Sequence, residues 1–223
     1  MILYKDENFI ICQKPIGISS QKTSDSKNMI SAISELTDIP EDSIYPIHRL
    51  DTIVGGTILY ALNPKSSALL TRMMSEKSIK KQYLAVVHGR PAEDKGIFTD
   101  LLFKDSSKNK SFVVKRPRKG VKDATLEYAL LGFVNYNKEV VSLVKITLKT
   151  GRSHQVRVQF SSRKMPLFGD RRYGSGKDKC TVSLWSHSLS FISPFDQKQK
   201  NYKSLPNIDA FPWNLFPKNL YEN

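Results

Sequence analysis

The chain has 223 residues, 39% of them hydrophobic, enough to bury a full core, and its 35 Lys and Arg against 21 Asp and Glu give a formal charge of +14. No run approaches the roughly 18 apolar residues that a membrane span needs, and the N-terminal residues are too charged for a secretory signal. The two cysteines, Cys12 and Cys180, lie far apart and point to neither a disulfide framework nor a zinc site, so a reduced, cytoplasmic, metal-free protein without a cofactor is expected.

The charge is unevenly spread. Successive blocks of fifty residues carry −2, +2, +7 and +7, and the last 23 carry 0, so the whole excess falls between residues 101 and 200. A solubilising surface would produce a net charge, but the asymmetry favours a polyanionic partner such as nucleic acid. The basic block lacks the amphipathic helical pattern that would lay it on a lipid surface, so no membrane partner is expected.

In chain order, Ile2 to Tyr4 and Phe9 to Cys12 read as a strand pair around the polar turn Lys5 to Asn8, ended by Pro15 and Gly17. After the polar stretch Ser19 to Lys27, Met29, Ile30, Ile33 and Leu36 share one face at helical spacing. Thr57 to Leu62 is a strand, and Asn63-Pro64 supplies an N-cap and a first-turn proline for a helix from Lys65 to about Ser78, with Leu69, Leu70, Met73 and Met74 on its buried side.

Five β-rich stretches follow, Gln82 to His88, Ile97 to Phe103, Ser111 to Val114, Thr125 to Phe133 and Val140 to Lys149. Thr150-Gly151 breaks the last of these, and Ser153 is placed to cap a helix through about Ser161, with His154 and Arg157 on one face. A strand through Val182 to Ile192 precedes a Pro-rich tail. No linker or repeat interrupts the chain, which is read as one mixed domain.

Two stretches are too polar for their positions, His48-Arg49-Leu50-Asp51 before a hydrophobic strand and Thr150 to Arg157 after one. The first resembles the core motif of the RluA-type pseudouridine synthases. The resemblance extends to Gln13-Lys14-Pro15 with Gly17, to Lys80 through Gly89, to Lys122 through Tyr128, and to Thr150 through Arg157 followed by Pro166 to Asp170 and Tyr173-Gly174. Five blocks occur in the family's order. The chain departs from the pattern at Val54-Gly55, where the family has Thr-Ser or Thr-Thr, and at Trp185-Ser186-His187, where it has Leu-His-Ala.

The resemblance implies an α+β fold, a single pseudouridine synthase catalytic domain over residues 1–223 with a bent, mixed, mostly antiparallel sheet, flanking helices and a basic cleft. It implies no S4 or other added RNA-binding domain. It also implies that uridine in structured RNA, either ribosomal or transfer RNA, is isomerised after the base is flipped out of its stack. Asp51 matches the catalytic carboxylate, which must be ionised and should therefore have a cation beside it. Arg157 matches that cation, and Tyr83 matches a tyrosine that stacks on the base and moves a proton.

Arg49 is expected to fill the space the base vacates, and His48 to contact RNA or hold the loop. Lys81, Lys115, Arg116, Arg152, His154 and Gln155 are the remaining candidate RNA contacts, with Lys104 to Lys122 holding eight basic residues against Asp105 alone. A monomer without an obligate protein partner is expected. The competing readings are a non-catalytic RNA-binding protein on the same scaffold, which would not need Asp51, and a glycosylase, which would release uracil.

Overall fold

The computed structural model describes residues 1–23 and 28–221, so part of the polar stretch Ser19 to Lys27 lies outside the described residues. The strands are β1 (Ile2–Lys5), β2 (Phe9–Lys14), β3 (Tyr45–Pro46), β4 (Gly55–Ala61), β5 (Lys80–His88), β6 (Lys95–Asp105), β7 (Lys110–Val114), β8 (Val121–Tyr136), β9 (Glu139–Leu148), β10 (Leu184–Ile192) and β11 (Gln199–Lys203). The helices are α1 (Met29–Thr37), α2 (Pro64–Ser75) and α3 (Gln155–Ser161). The chain divides into two compact units, Met1–Lys81 with Trp185–Pro206, and Gln82–Leu184 with the segment from Asn207 onward.

In the first unit β2 pairs antiparallel with β1 and with β4, β4 pairs parallel with β10, and β10 pairs antiparallel with β11. All seven residues of β4 are buried, so both its faces are covered and its sequence need not alternate. Phe9 and Ile11 on β2 and Leu59 and Ala61 on β4 put one face on a core that also holds Leu70 of α2 and Leu189 and Phe191 of β10.

Local chemistry fixes the helix starts. Asn28 accepts from the amides of Ile30 (2.9 Å) and Ser31 (3.1 Å) to cap α1, and Asn63 accepts from Ser66 (2.8 Å) to cap α2. Leu36, expected on the buried face of α1, is instead 65% exposed; it lies in the last turn, beyond the contact made by Met29, Ile30 and Ile33.

In the second unit the strand order is β5-β9-β8-β6-β7. β8 runs 16 residues, longer than the sequence reading at both ends, and pairs antiparallel with both β6 and β9. α3 packs on this sheet: Val158 joins Leu102 and Ala124, and the Phe160 ring meets Phe98 edge-on at 5.1 Å.

The expected α+β class and mostly antiparallel pairing are observed. The segment read as a tail contains β11, which pairs with β10 over five residues. It is an edge strand whose polar sequence Gln-Lys-Asn-Tyr-Lys gives only Tyr202 to the core, so hydrophobic pattern does not reveal it.

Candidate active site

The first unit holds Asp51 in the turn that enters β4, where the Val54 amide donates to the Asp51 carbonyl at 2.9 Å. Its two neighbours are tied through their backbones. The Ser20 hydroxyl donates to Leu50 O (3.1 Å) and accepts from Leu50 N (3.3 Å), while Thr52 O accepts from the Gly17 amide (2.8 Å). Ser20 is itself held by the Tyr60 hydroxyl, which donates to its carbonyl at 2.8 Å.

Lys14 completes the arrangement. Its side chain is fully buried, and the ammonium donates to Pro15 O (2.9 Å), Ile18 O (2.7 Å) and Thr52 O (3.3 Å). Burial lowers its pKa to about 8, partly offset by the negative charge of Asp51. Motif comparison placed Lys14 in the family's opening block without a role; three converging carbonyls supply one, because they close the loop that carries Asp51.

His48 faces inward. Its Nε2 accepts from the Leu59 amide at 3.3 Å, and burial together with the charge of Lys81 lowers its pKa to about 3, so the ring is neutral. This contact ties His48 to β4. Arg49 is exposed, and Lys81 is half-buried, with burial lowering its pKa.

The second unit holds Tyr83, Arg152, His154, Gln155, Arg157, Lys115 and Arg116. Tyr83 is buried on β5. Arg157 is not a surface cation: its Nε and Nη2 donate to the two carboxylate oxygens of Asp170 at 2.7 Å each, and both residues are buried. Burial alone would raise the Asp170 pKa, but hydrogen bonds and charge from Arg157, with the amides of Arg172 and Tyr173, hold it below the usual carboxylate value.

The turn into α3 differs from the sequence reading. Its N-cap is His154, in the left-handed region at φ 54° and without a side-chain capping bond, rather than Ser153. Gln155, the first residue of α3, ties the preceding turn to β8: its Oε1 accepts from the Thr150 hydroxyl (2.8 Å) and the Arg152 amide (3.0 Å), and its Nε2 donates to Thr125 O (3.1 Å). Its carboxamide is thus turned into the protein. Arg152 is exposed, with Nε donating to Asp123 O at 2.8 Å.

The basic segment Lys104 to Lys122 runs from the end of β6 through β7 to the start of β8. Lys115, Arg116, Arg118 and Lys119 lie exposed between β7 and β8, with the Arg118 guanidinium 4.5 Å from the Phe103 ring centre. Asp170 and Tyr173, to which the sequence reading gave no roles, both sit in the block Gly169 to Gly174. Among the described residues no group of three or more His, Cys, Asp or Glu side chains is arranged to hold a metal ion.

Residues 8–162 match the model of the RNA pseudouridylate synthase family. The chain belongs to this family. A ribosomal large subunit pseudouridine synthase D of Borreliella burgdorferi is 30% identical over 236 residues, covering 100% of this chain and 69% of that protein. A dual-specificity RNA pseudouridine synthase of Pasteurella multocida is 30% identical over 213 residues, 92% of each.

An uncharacterized RNA pseudouridine synthase of Mycoplasma pneumoniae is 29% identical over 208 residues, 91% of this chain but 65% of that protein, so the chain spans less than two thirds of some relatives. The human RNA pseudouridylate synthase domain containing 1 structure shares the fold, with a TM-score of 0.76 at 22% identity over 92% of this chain and 82% of that one. No described helix is long and apolar enough to cross a membrane.

Proposed function

We propose that this family member isomerises uridine to pseudouridine in ribosomal or transfer RNA, with residues 1–223 acting as one catalytic domain, without a cofactor, as a cytoplasmic monomer. The observation that carries the reading is the treatment of Asp51. The backbone on each side of it is pinned by Ser20, Gly17 and Lys14, an investment that suits a carboxylate held for chemistry rather than one that merely ends a turn.

Asp51 is the carboxylate that attacks or assists at the ribose C1′. The N1–C1′ bond breaks, the base turns, and the C5–C1′ bond forms with loss of the C5 proton and gain of one at N1. Arg157, fixed by Asp170, supplies the cation, and Tyr83 supplies a ring for the base and a hydroxyl for proton transfer. Arg49, Lys81, Lys115, Arg116, Arg152 and His154 contact RNA, and Arg49 fills the place of the flipped base.

Because C5 loses its hydrogen, transcripts carrying tritium at uridine C5 release tritium to water only if the new bond forms. Tritium release with the base retained in the RNA supports the isomerase reading. Free uracil and an abasic site would replace it with a glycosylase, and neither product would leave a binding protein.

A further inference from the structure

Tyr173 contacts four residues, Ser111, His154, Arg157 and Lys110. Its hydroxyl oxygen accepts from the backbone amide of Ser111, at the start of β7, at 2.7 Å, and the same hydroxyl lies 2.9 Å from His154 Nδ1. Its ring lies under two cations, with the Arg157 guanidinium 5.1 Å and the Lys110 ammonium 5.2 Å from the ring centre.

The residue is itself tightly held. Its amide donates to Asp170 Oδ1 at 3.2 Å, the same oxygen that accepts from Arg157 Nη2, and its carbonyl accepts from the Ser161 hydroxyl at 2.6 Å. A second strut runs alongside: the buried Ser111 hydroxyl donates to Ser153 O at 2.7 Å. Arg172 Nη1 also donates to Asn109 O in the β6–β7 turn.

We propose that Tyr173 is a positioning residue that joins the tip of the β6–β7 hairpin to Arg157 and His154, so that RNA phosphate bound at the tip sets Arg157 for the chemical step. The inference rests on the isomerase reading for its catalytic consequence, but its structural half stands on the contacts alone. The tip presents Lys108 and Lys110, cations suited to phosphate. Burial raises the Tyr173 pKa, so the phenol keeps its proton and can donate to His154 while accepting from Ser111. Lys115 and Arg116, exposed beyond the other end of β7, serve affinity alone.

Tyr173→Phe keeps the ring under both cations and removes only the oxygen. In RNA-free protein the Arg157 Nε–H nuclear magnetic resonance signal should shift, whether or not the chain is an isomerase; an unmoved signal overturns the inference. With a transcript the wild type converts, the single-turnover rate at saturating enzyme should fall about ten-fold while the RNA Kd changes less than about two-fold. Lys110→Gln should lower both affinity and that rate in the wild type, but affinity alone in the Tyr173→Phe background. Additive rate losses, or parallel losses of rate, affinity and thermal stability, would make Tyr173 a packing residue and overturn the proposal. If Tyr173→Phe fails to fold, Lys110→Gln alone decides: loss of affinity without loss of rate contradicts the coupling, and loss of both supports it.

Discussion

The Trp185 ring fills the space that a side chain at position 55 would need: a Cβ on Gly55 would lie 2.3 Å from Trp185 Cζ3. The two residues are register partners in the parallel β4–β10 pair. They belong to the two segments where the chain departs from the family pattern, so the small residue in one segment accommodates the large ring in the other. The indole is held in turn, donating from Nε1 to Ser204 O (3.2 Å) and Oγ (3.1 Å).

Gly55→Ser should therefore destabilise the protein by about 1–3 kcal/mol, the usual cost of overpacking a core. Trp185→Leu should relieve much of that loss in the double variant, giving a coupling energy that urea denaturation of the two single variants and the double variant would measure. Additive losses would mean that the ring moves aside.

Lys14→Met removes the ammonium from Pro15 O, Ile18 O and Thr52 O and should cost about 1–3 kcal/mol at neutral pH. The pH dependence has a fixed sign. The folded pKa of about 8 lies below the reference 10.5, so between them the unfolded chain binds more protons and wild-type stability gains as pH rises. The gap between wild type and variant should widen across that window. A gap that narrows would contradict the buried ammonium.

His48 has the same sign at lower pH. With its pKa lowered from 6.5 to about 3, the unfolded chain takes up the proton first, and the wild type loses stability as pH falls through that interval. His48→Gln keeps an acceptor for the Leu59 amide and removes the titration. Its unfolding free energy should fall less than that of wild type between pH 6.5 and about 4; equal losses would place the titration elsewhere.

Replacing Lys115, Arg116, Arg118 and Lys119 by Gln should weaken RNA binding and flatten the log K against log salt slope by about 3. The single-turnover rate at saturating enzyme should stay near wild type. A filter-binding titration with an unaltered slope would make these charges a solvated loop.

Much of the fold was legible because hydrophobic periodicity and caps are local signals. Asn63 and Pro64 mark the start of α2 in sequence as they do in the structure, whereas the Asn28 cap of α1 was not read from sequence. What else escaped was set by tertiary partners. The turn into α3 is held not by a Ser153 cap but by Gln155, which reaches Thr125, a residue far away in the chain. Lys14, Asp170 and Tyr173 acquired roles only once their partners were placed. Each stood in a recognised block, but block membership does not say which carbonyl, guanidinium or amide a side chain meets.

Asp51→Asn tests the central claim most directly, since it removes the charge with almost no change of shape. With RNA tritiated at uridine C5, the wild type should release tritium while the variant, folded and binding RNA with unchanged affinity, releases none above background. Release by the purified variant at near wild-type rate would contradict the assignment of Asp51 as the catalytic carboxylate.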